Sequence, residues 1–163
     1  MIRGLITAFL LTFGAGAAYA EAHLFSGAWE VKWCDKNPKI ECGGFYLYLI
    51  QKGTRICGDH FAATPGLGRL NEGGPKSIIG TVVGSTAVVA ITSGRDNTTY
   101  LAKAKRVGPA LEWQLLETIK EGEKTDSSLI AANARLSASK DREELNRVTK
   151  ECQEVFANDR SGR

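Results

Sequence analysis

The chain has 163 residues and a formal net charge of +3, and its 21 basic and 18 acidic residues are interspersed. This length suits one domain. The near balance of charge provides no electrostatic reason to expect nucleic acid or an acidic membrane surface as a partner. We therefore predict a single domain with neither of these partners.

Residues 1–20 have the pattern of a secretory signal peptide. Arg3 supplies the basic start, residues 5–13 form a short apolar run, and Ala18-Tyr19-Ala20 matches a cleavage site. The run is too short to anchor the chain in a membrane. We expect a mature chain that begins at Glu21, has no membrane anchor, and is periplasmic or secreted.

Residues 26–34 predict the first strand of an all-β domain. Trp29, Val31 and Trp33 alternate with polar residues, which is the period of a strand with one buried face. Two indole rings on one face need apolar neighbours on several sides. The strand therefore belongs to a structure that wraps around it.

Seven more strand-like segments follow, joined by short turns and without a helix long enough for a parallel crossover. The predicted strands are residues 26–34, 45–52, 54–63, 77–84, 86–92, 98–107, 110–118 and 127–138. Residues 64–76, rich in Gly and Pro, predict a long flexible loop that closes one mouth. The predicted fold is mainly β, an eight-stranded antiparallel up-and-down β-barrel, because closure leaves no exposed strand edge. A two-sheet sandwich is the alternative.

From Ser139 onward the apolar period changes to that of a helix. The apolar stripe contains Leu145, Val148, Cys152, Val155 and Phe156. Its narrow width predicts a C-terminal α-helix packed outside the barrel, with Ser139 or Asp141 as its cap. The expected organisation is a signal peptide at 1–20, a barrel at 21–138, and a helix with its tail at 139–163.

Four cysteines, all after the predicted signal peptide, indicate two disulfides in an oxidising compartment. Their spacing does not fit a zinc site. Cys34 and Cys42 lie at one end of the same hairpin, so we predict that they pair. Cys57 lies on the outward face of its strand, and Cys152 lies on the helix stripe that rests on the barrel. This placement predicts that Cys57 and Cys152 form the second pair.

The order Gly27-x-Trp29, eight strands and a C-terminal helix resembles the calycin superfamily, the barrels of lipocalin and avidin type. The resemblance implies a basic side chain from the last strand that lies across Trp29, and Arg135 is the residue at that place. A bond from Cys152 on the helix to a mid-barrel strand is also similar to a lipocalin staple. A lipocalin-like chain would carry a small hydrophobic ligand inside its barrel.

Two relatives of this architecture match less of the chain. Avidin-like barrels share the shape, but residues 34–42 contain no match to their biotin ligands. Ser93-Gly94 ahead of Tyr100 resembles the active loop of periplasmic inhibitors of C-type lysozyme. The spacing differs, so no residue role is carried over from those inhibitors.

The sequence does not predict an enzyme or a cofactor. On an extended strand Cys57 and Asp59 share one face and His60 lies on the other, so they form no nucleophilic dyad. No phosphate-binding loop precedes a helix. A metal site is possible only if the signal peptide is cleaved ahead of Glu21-Ala22-His23. Cleavage there would make His23 the third residue from a free N-terminal amine. That spacing suits Cu(II) or Ni(II) in a square plane.

Aromatic residues supply the candidate ligand- or partner-binding site, which consists of Tyr46, Tyr48, Phe61 and Tyr100. The alternative is that these rings only pack in the core. Tyr46 and Tyr48 face away from Phe45, which predicts an exposed tyrosine pair on the barrel flank.

Our first hypothesis for function is a non-enzymatic exported binding protein, a periplasmic inhibitor or immunity-type protein with a macromolecular partner. It rests on a small, disulfide-bonded scaffold without a catalytic set. The alternative is a lipocalin-like carrier of a small hydrophobic ligand in the barrel. The sequence does not indicate an oligomeric state.

Overall fold

The computed structural model describes residues 23–123 and 128–158, so the predicted signal peptide lies outside the described residues. Within these ranges the chain forms nine β-strands, a 3-10 turn at Pro65–Leu67 and one α-helix. The strands are β1 (Gly27–Trp33), β2 (Gly43–Lys52), β3 (Arg55–Ala63), β4 (Leu70–Glu72), β5 (Ile78–Val83), β6 (Thr86–Thr92), β7 (Thr99–Val107), β8 (Ala110–Lys120) and β9 (Asn133–Ala138). The helix is α1 (Arg142–Asn158).

Eight of the described strands close into an antiparallel barrel. They pair in the order β2-β1-β9-β8-β7-β6-β5-β3, and a pairing between β2 and β3 closes the ring. Apart from β4, strands that are neighbours in the ring are neighbours along the chain, and β9 returns to pair with β1. The predicted up-and-down barrel is therefore confirmed. The two-sheet sandwich is excluded because every barrel strand has a partner on both sides.

The predicted loop at residues 64–76 contains an additional short strand outside the barrel, β4. It pairs with residues 61–63 of β3, whereas β5 pairs with residues 55–58 of the same strand. The middle residue of β4, Asn71, points inward, and its amide donates to Ser93 Oγ at 3.1 Å. Three residues between glycine-rich segments are too few to show a period of two, so the sequence pattern missed this strand.

The last strand is also shorter than the predicted 127–138. β9 begins at Asn133, because Leu129 has a left-handed φ of 60° that interrupts the extended backbone. Ala132 O still accepts a hydrogen bond from Leu115 N at 2.7 Å. The approach to β9 therefore runs beside β8 without forming a continuous ladder.

Apolar side chains from all eight barrel strands point inward and form one core. Those that are fully buried include Phe45, Leu47, Leu49, Ile78, Ile91, Leu111 and Leu136. Trp29 and Trp113 are 4% and 3% exposed, and the rings of Phe45 and Trp113 lie 5.7 Å apart between centroids. An eight-stranded barrel is either filled by its own side chains or holds one small ligand, and here two indole rings are among the side chains that point inward.

One end of the barrel is closed around Trp29, but by a different arginine from the one predicted. Arg106 of β7 lies over the indole, and Arg135 instead binds Glu112 on the outer surface at 2.7 Å. The prediction for Arg135 was wrong because strand alternation turns it outward, between the inward Ala134 and Leu136. Arg106 has the inward parity on β7.

The helix α1 lies across the outer face of β1, β2 and β3, as predicted. The buried side chains of this contact are Ala28, Tyr48, Cys57, Val148, Cys152 and Phe156. Asp141 caps the helix, since its Oδ1 accepts the amide of Glu144 at 3.1 Å.

Both predicted disulfides are present. The Cα atoms are 4.3 Å apart in Cys34–Cys42 and 5.7 Å apart in Cys57–Cys152. The first lies at the exposed rim, and the second is buried between α1 and β3. Two disulfides indicate an oxidising compartment. In the described part of the chain, no helix combines the length and apolar character needed to span a membrane.

Candidate functional site

Beside the helix, a row of four outward-facing residues crosses β1, β2, β3 and β4. The register pairs Glu30 with Tyr46, Tyr46 with Phe61, and Phe61 with Glu72. Adjacent strands lie about 4.8 Å apart, so the row is about 14 Å wide. Two aromatic rings thus lie side by side between two carboxylates. With the neighbouring acids we call this surface the acidic flank, which consists of Glu30, Glu41, Tyr46, Phe61, Glu72, Asp141, Glu143 and Glu144.

The two rings of the acidic flank form a contiguous, half-buried pair. Tyr46 and Phe61 lie 5.8 Å apart between ring centroids, with their planes inclined at 49°. The Tyr46 ring folds back over Gly44, where a Cβ atom would lie only 2.9 Å from Cε2 of the ring. Gly44 therefore lets the ring lie flat along the sheet, which leaves one side of it accessible.

The carboxylates around Tyr46 make the local field negative. Burial, followed by the charges of Glu30, Asp141 and Glu41, raises the pKa of the Tyr46 hydroxyl. Glu30 is held in place because its Oε2 accepts a hydrogen bond from Ser139 Oγ at 3.1 Å. Acids from three separate segments therefore converge on the same ring.

Arg147 is the cation closest to these acids on α1, and its charge is already matched. Its guanidinium donates to Asp59 Oδ2 at 2.7 Å, to Glu151 Oε1 at 2.5 Å and to the carboxylate of Glu144. The hydrogen bond to Glu144 is the main cause that raises the pKa of Arg147. Arg147 therefore pairs with Asp59 and Glu144, whereas the acids whose charges act on Tyr46 are Glu30, Asp141 and Glu41.

A groove of about 560 Å³ runs between the helix start and β3 and β4. Among the described residues, five acids and one cation, Arg147, line it, and the acids are Asp59, Glu72, Asp141, Glu143 and Glu144. Phe61 lines the same groove, which joins it to the aromatic pair. The groove has space for a side chain of a partner next to the row.

The structure brings only two of the four predicted binding residues together at the surface. Tyr48 is 5% exposed beneath α1 and donates to Asp141 Oδ2 at 2.9 Å, so the predicted exposed tyrosine pair is wrong. Burial is the main cause that raises the pKa of Tyr48. Tyr100 faces inward and packs against the barrel core. Tyr46 and Phe61 remain as the aromatic surface.

The acids of the flank were missed by sequence reasoning. In the sequence, Glu30 is one of the alternating polar residues of the first predicted strand, and Glu72 lies in the predicted loop at residues 64–76. Only the register of four strands places both next to Tyr46 and Phe61. No sequence spacing links them.

Near the flank, a buried polar chain crosses the barrel wall between β4 and β5. Ser77 Oγ donates to Asp59 Oδ1 at 2.8 Å and lies 2.9 Å from His60 Nδ1. This order differs from a hydrolytic triad, in which the imidazole lies between the carboxylate and the hydroxyl. His60 is 2% exposed, and burial lowers its pKa to about 4, so the ring is neutral at neutral pH.

The conditional copper or nickel site falls mostly outside the described residues, which exclude Glu21 and Ala22. His23 is described, and its Nδ1 lies 3.2 Å from the carbonyl oxygen of Gln51. Elsewhere in residues 23–123 and 128–158, no three His, Cys, Asp or Glu side chains form a metal-binding group.

Comparison with known proteins found no matching family model, no matching curated protein and no matching solved structure.

Proposed function

We propose that the protein is an exported, non-enzymatic, calycin-like binding protein of the periplasmic inhibitor or immunity type. It uses the acidic flank to bind a basic segment of a protein partner. The observation that carries this proposal is the row in which Tyr46 and Phe61 lie between the carboxylates of Glu30 and Glu72.

The chemistry of the row matches an arginine or lysine side chain. A cation within about 6 Å of an aromatic centroid gains about 0.5–2 kcal/mol, depending on how far it is desolvated. A guanidinium can lie on the Tyr46 ring while it donates to Glu30 or Glu72 at the ends of the row. Because the row lies on closed barrel strands, it loses little conformational entropy on binding.

The packed interior supports a protein partner over the alternative of a hydrophobic ligand in the barrel. Buried side chains of all eight strands, Trp29 and Trp113 among them, point into the barrel and reduce the space for such a ligand. The disulfide Cys57–Cys152 and the helix hold the outer face rigid next to the flank. A rigid outer surface suits inhibition or sequestration of another protein.

The proposal is tested with a hexa-arginine peptide as the probe and isothermal titration calorimetry. The double variant Glu30→Gln/Glu72→Gln keeps the shape of the row and removes both charges, so we expect at least tenfold weaker binding. The matched control Glu117→Gln/Glu121→Gln removes two exposed charges elsewhere and should bind as the wild type does. Equal affinity of the first variant and the wild type would overturn the proposal.

A further inference from the structure

An exposed apolar surface adjoins the acidic flank at the barrel rim. Ile40, Leu67 and Leu70 are 37%, 41% and 39% exposed, and we call them the apolar rim. Leu70 and Glu72 share the outer face of β4, because Asn71 between them is buried. Two residues along a strand span about 7 Å, so the apolar rim begins about 7 Å from the row of the acidic flank.

The two loops that carry the apolar rim are joined to each other. Gly66 N donates to Glu41 O at 2.8 Å, and a Cβ atom on Gly66 would lie 3.4 Å from Ile40 Cγ2. Ile40 therefore lies over the turn at Gly66, with Leu67 as the next residue. The rim is made from two loops and the start of β4.

Leu67 is held outward by a defined turn. Its φ is 54°, a left-handed conformation that is uncommon for leucine. Leu67 N donates to Thr64 O at 2.9 Å, and Thr64 N donates to Arg69 O at 3.0 Å. A large apolar side chain is thus presented to solvent in a conformation that costs free energy, which points to a use for it.

Small residues lie between the two surfaces. The register places Lys32, Gly44, Ala63 and Leu70 in the row next to that of Tyr46 and Phe61. Gly44 and Ala63 are both buried, Gly44 beneath the Tyr46 ring, so the exposed connection between the two surfaces runs along β4 from Glu72 to Leu70. A bound segment can contact both surfaces at once.

The charges at the rim differ from those of the flank. Lys32 follows Glu30 on the outer face of β1, Arg69 precedes Leu70, and Arg95 donates to Leu70 O at 2.9 Å. A segment that is basic along its whole length would meet like charges at the rim. An apolar residue at that place avoids the repulsion and covers exposed leucine.

Building on the proposed function, we propose that the partner segment is extended and carries a large apolar residue two positions from its arginine or lysine. Side chains two positions apart on an extended chain lie on one face at about 7 Å, which is the separation of the two rows. The cation then lies on Tyr46 and Phe61 while the apolar side chain covers Leu70 and Leu67. An anionic membrane is a poor fit, because Glu41 and Glu72 border the same surface.

The probes are three short Gly/Ser-rich peptides that contain one arginine. In the first, a leucine lies two positions from the arginine, in the second it is adjacent, and in the third it is replaced by serine. We expect the first to bind at least tenfold more tightly than the other two. Leu67→Ser/Leu70→Ser should abolish this preference, and the matched control Ile79→Ser/Val83→Ser, at exposed apolar positions of β5, should retain it.

The outcomes separate the two proposals. If hexa-arginine binds through Glu30 and Glu72 but the three peptides bind equally, the apolar contact is wrong and the proposed function stands. If hexa-arginine binding does not depend on these acids, the proposed function is wrong, and the inference that rests on it is wrong as well. Phosphatidylglycerol vesicles test a lipid surface as the other possible partner. If the wild type binds these vesicles and Leu67→Ser/Leu70→Ser does not, the partner is a lipid surface and the peptide proposal is wrong.

Discussion

The guanidinium carbon of Arg106 lies 4.4 Å from the ring centroid of Trp29. The indole Nε1 in turn donates to Phe25 O at 3.1 Å, and Phe25 is fully buried. This stack closes one end of the barrel and fixes β1, whose next residue, Glu30, faces outward into the acidic flank. The core anchor and the candidate site are therefore adjacent residues on opposite faces of the same strand.

Replacing Arg106 should destabilise the fold more than replacing Arg135. Arg106→Leu removes a cation–π contact at a largely desolvated ring, for which we expect a loss of about 1–2 kcal/mol in the free energy of unfolding. Arg135→Leu breaks an exposed ion pair with Glu112, which contributes about 0–1 kcal/mol. Urea unfolding of both variants measures the difference, and the reverse order would contradict the closure of the barrel by Arg106.

The two disulfides should contribute unequally to stability. Cys57 and Cys152 are 95 residues apart, and a loop of about a hundred residues constrains the unfolded chain by about 4.7 kcal/mol in the entropy model. Cys34 and Cys42 are 8 residues apart, and even a fifteen-residue loop gives only about 3 kcal/mol. Thermal unfolding should therefore show a larger decrease in Tm for Cys57→Ala/Cys152→Ala than for Cys34→Ala/Cys42→Ala. A larger decrease for the rim pair would show that the bond between helix and barrel is not the main covalent restraint.

His60 should make the fold less stable as the pH falls. Burial lowers its folded pKa to about 4, below the ordinary value of 6.5, so the unfolded chain binds more protons between these values. The contribution of His60 to stability is complete above about pH 6.5 and is lost as the pH falls toward 4, by at most about 1.4 kcal/mol per pH unit.

Comparison of the wild type with His60→Gln separates the contribution of His60 to the pH dependence of stability from that of Asp59. The pKa of Asp59 is raised mainly by burial. Urea unfolding between pH 7 and pH 4 should give a shallower dependence for the variant. The same slope in both proteins would mean that His60 is not protonated on unfolding in this range.

Phe61 lies on the proposed binding surface and Tyr48 is buried beneath the helix, so their substitutions should affect binding differently. Phe61→Leu keeps an apolar side chain but removes the aromatic face, so hexa-arginine should bind a few fold more weakly, in keeping with about 0.5–1 kcal/mol for an exposed cation–π contact. Tyr48→Phe removes a hydrogen bond to Asp141 beneath the helix and should lower stability while changing affinity less than Phe61→Leu does. Calorimetry would contradict this assignment if Tyr48→Phe weakened binding and Phe61→Leu did not.

The parts of the fold that depend on local periodicity were predictable from the sequence. The alternation at Trp29, Val31 and Trp33 indicated a strand with one buried face, and the stripe at Val148 and Cys152 indicated the docked helix. The disulfide pairs followed from which face each cysteine occupies. These inferences need only the period of each element.

Features that depend on register were not predictable. Arg106 and Trp29 are far apart in sequence, and nothing in either segment indicates that β7 supplies the cation at the closed end. The row from Glu30 to Glu72 requires four strands aligned to the residue, and one of them, β4, is too short to show a pattern. A shift of one residue in any pairing would turn these side chains to the other face.

Chemical-shift mapping tests the central claim most directly. The ¹⁵N-labelled protein is titrated with hexa-arginine at low ionic strength, and the amide signals that move identify the surface that binds. We predict that the largest shifts lie at Glu30, Tyr46, Phe61 and Glu72 and at the start of α1, and that they diminish as salt screens the charges. Shifts concentrated on the outer face of β5–β8, or in the barrel interior, would contradict the acidic flank as the binding site.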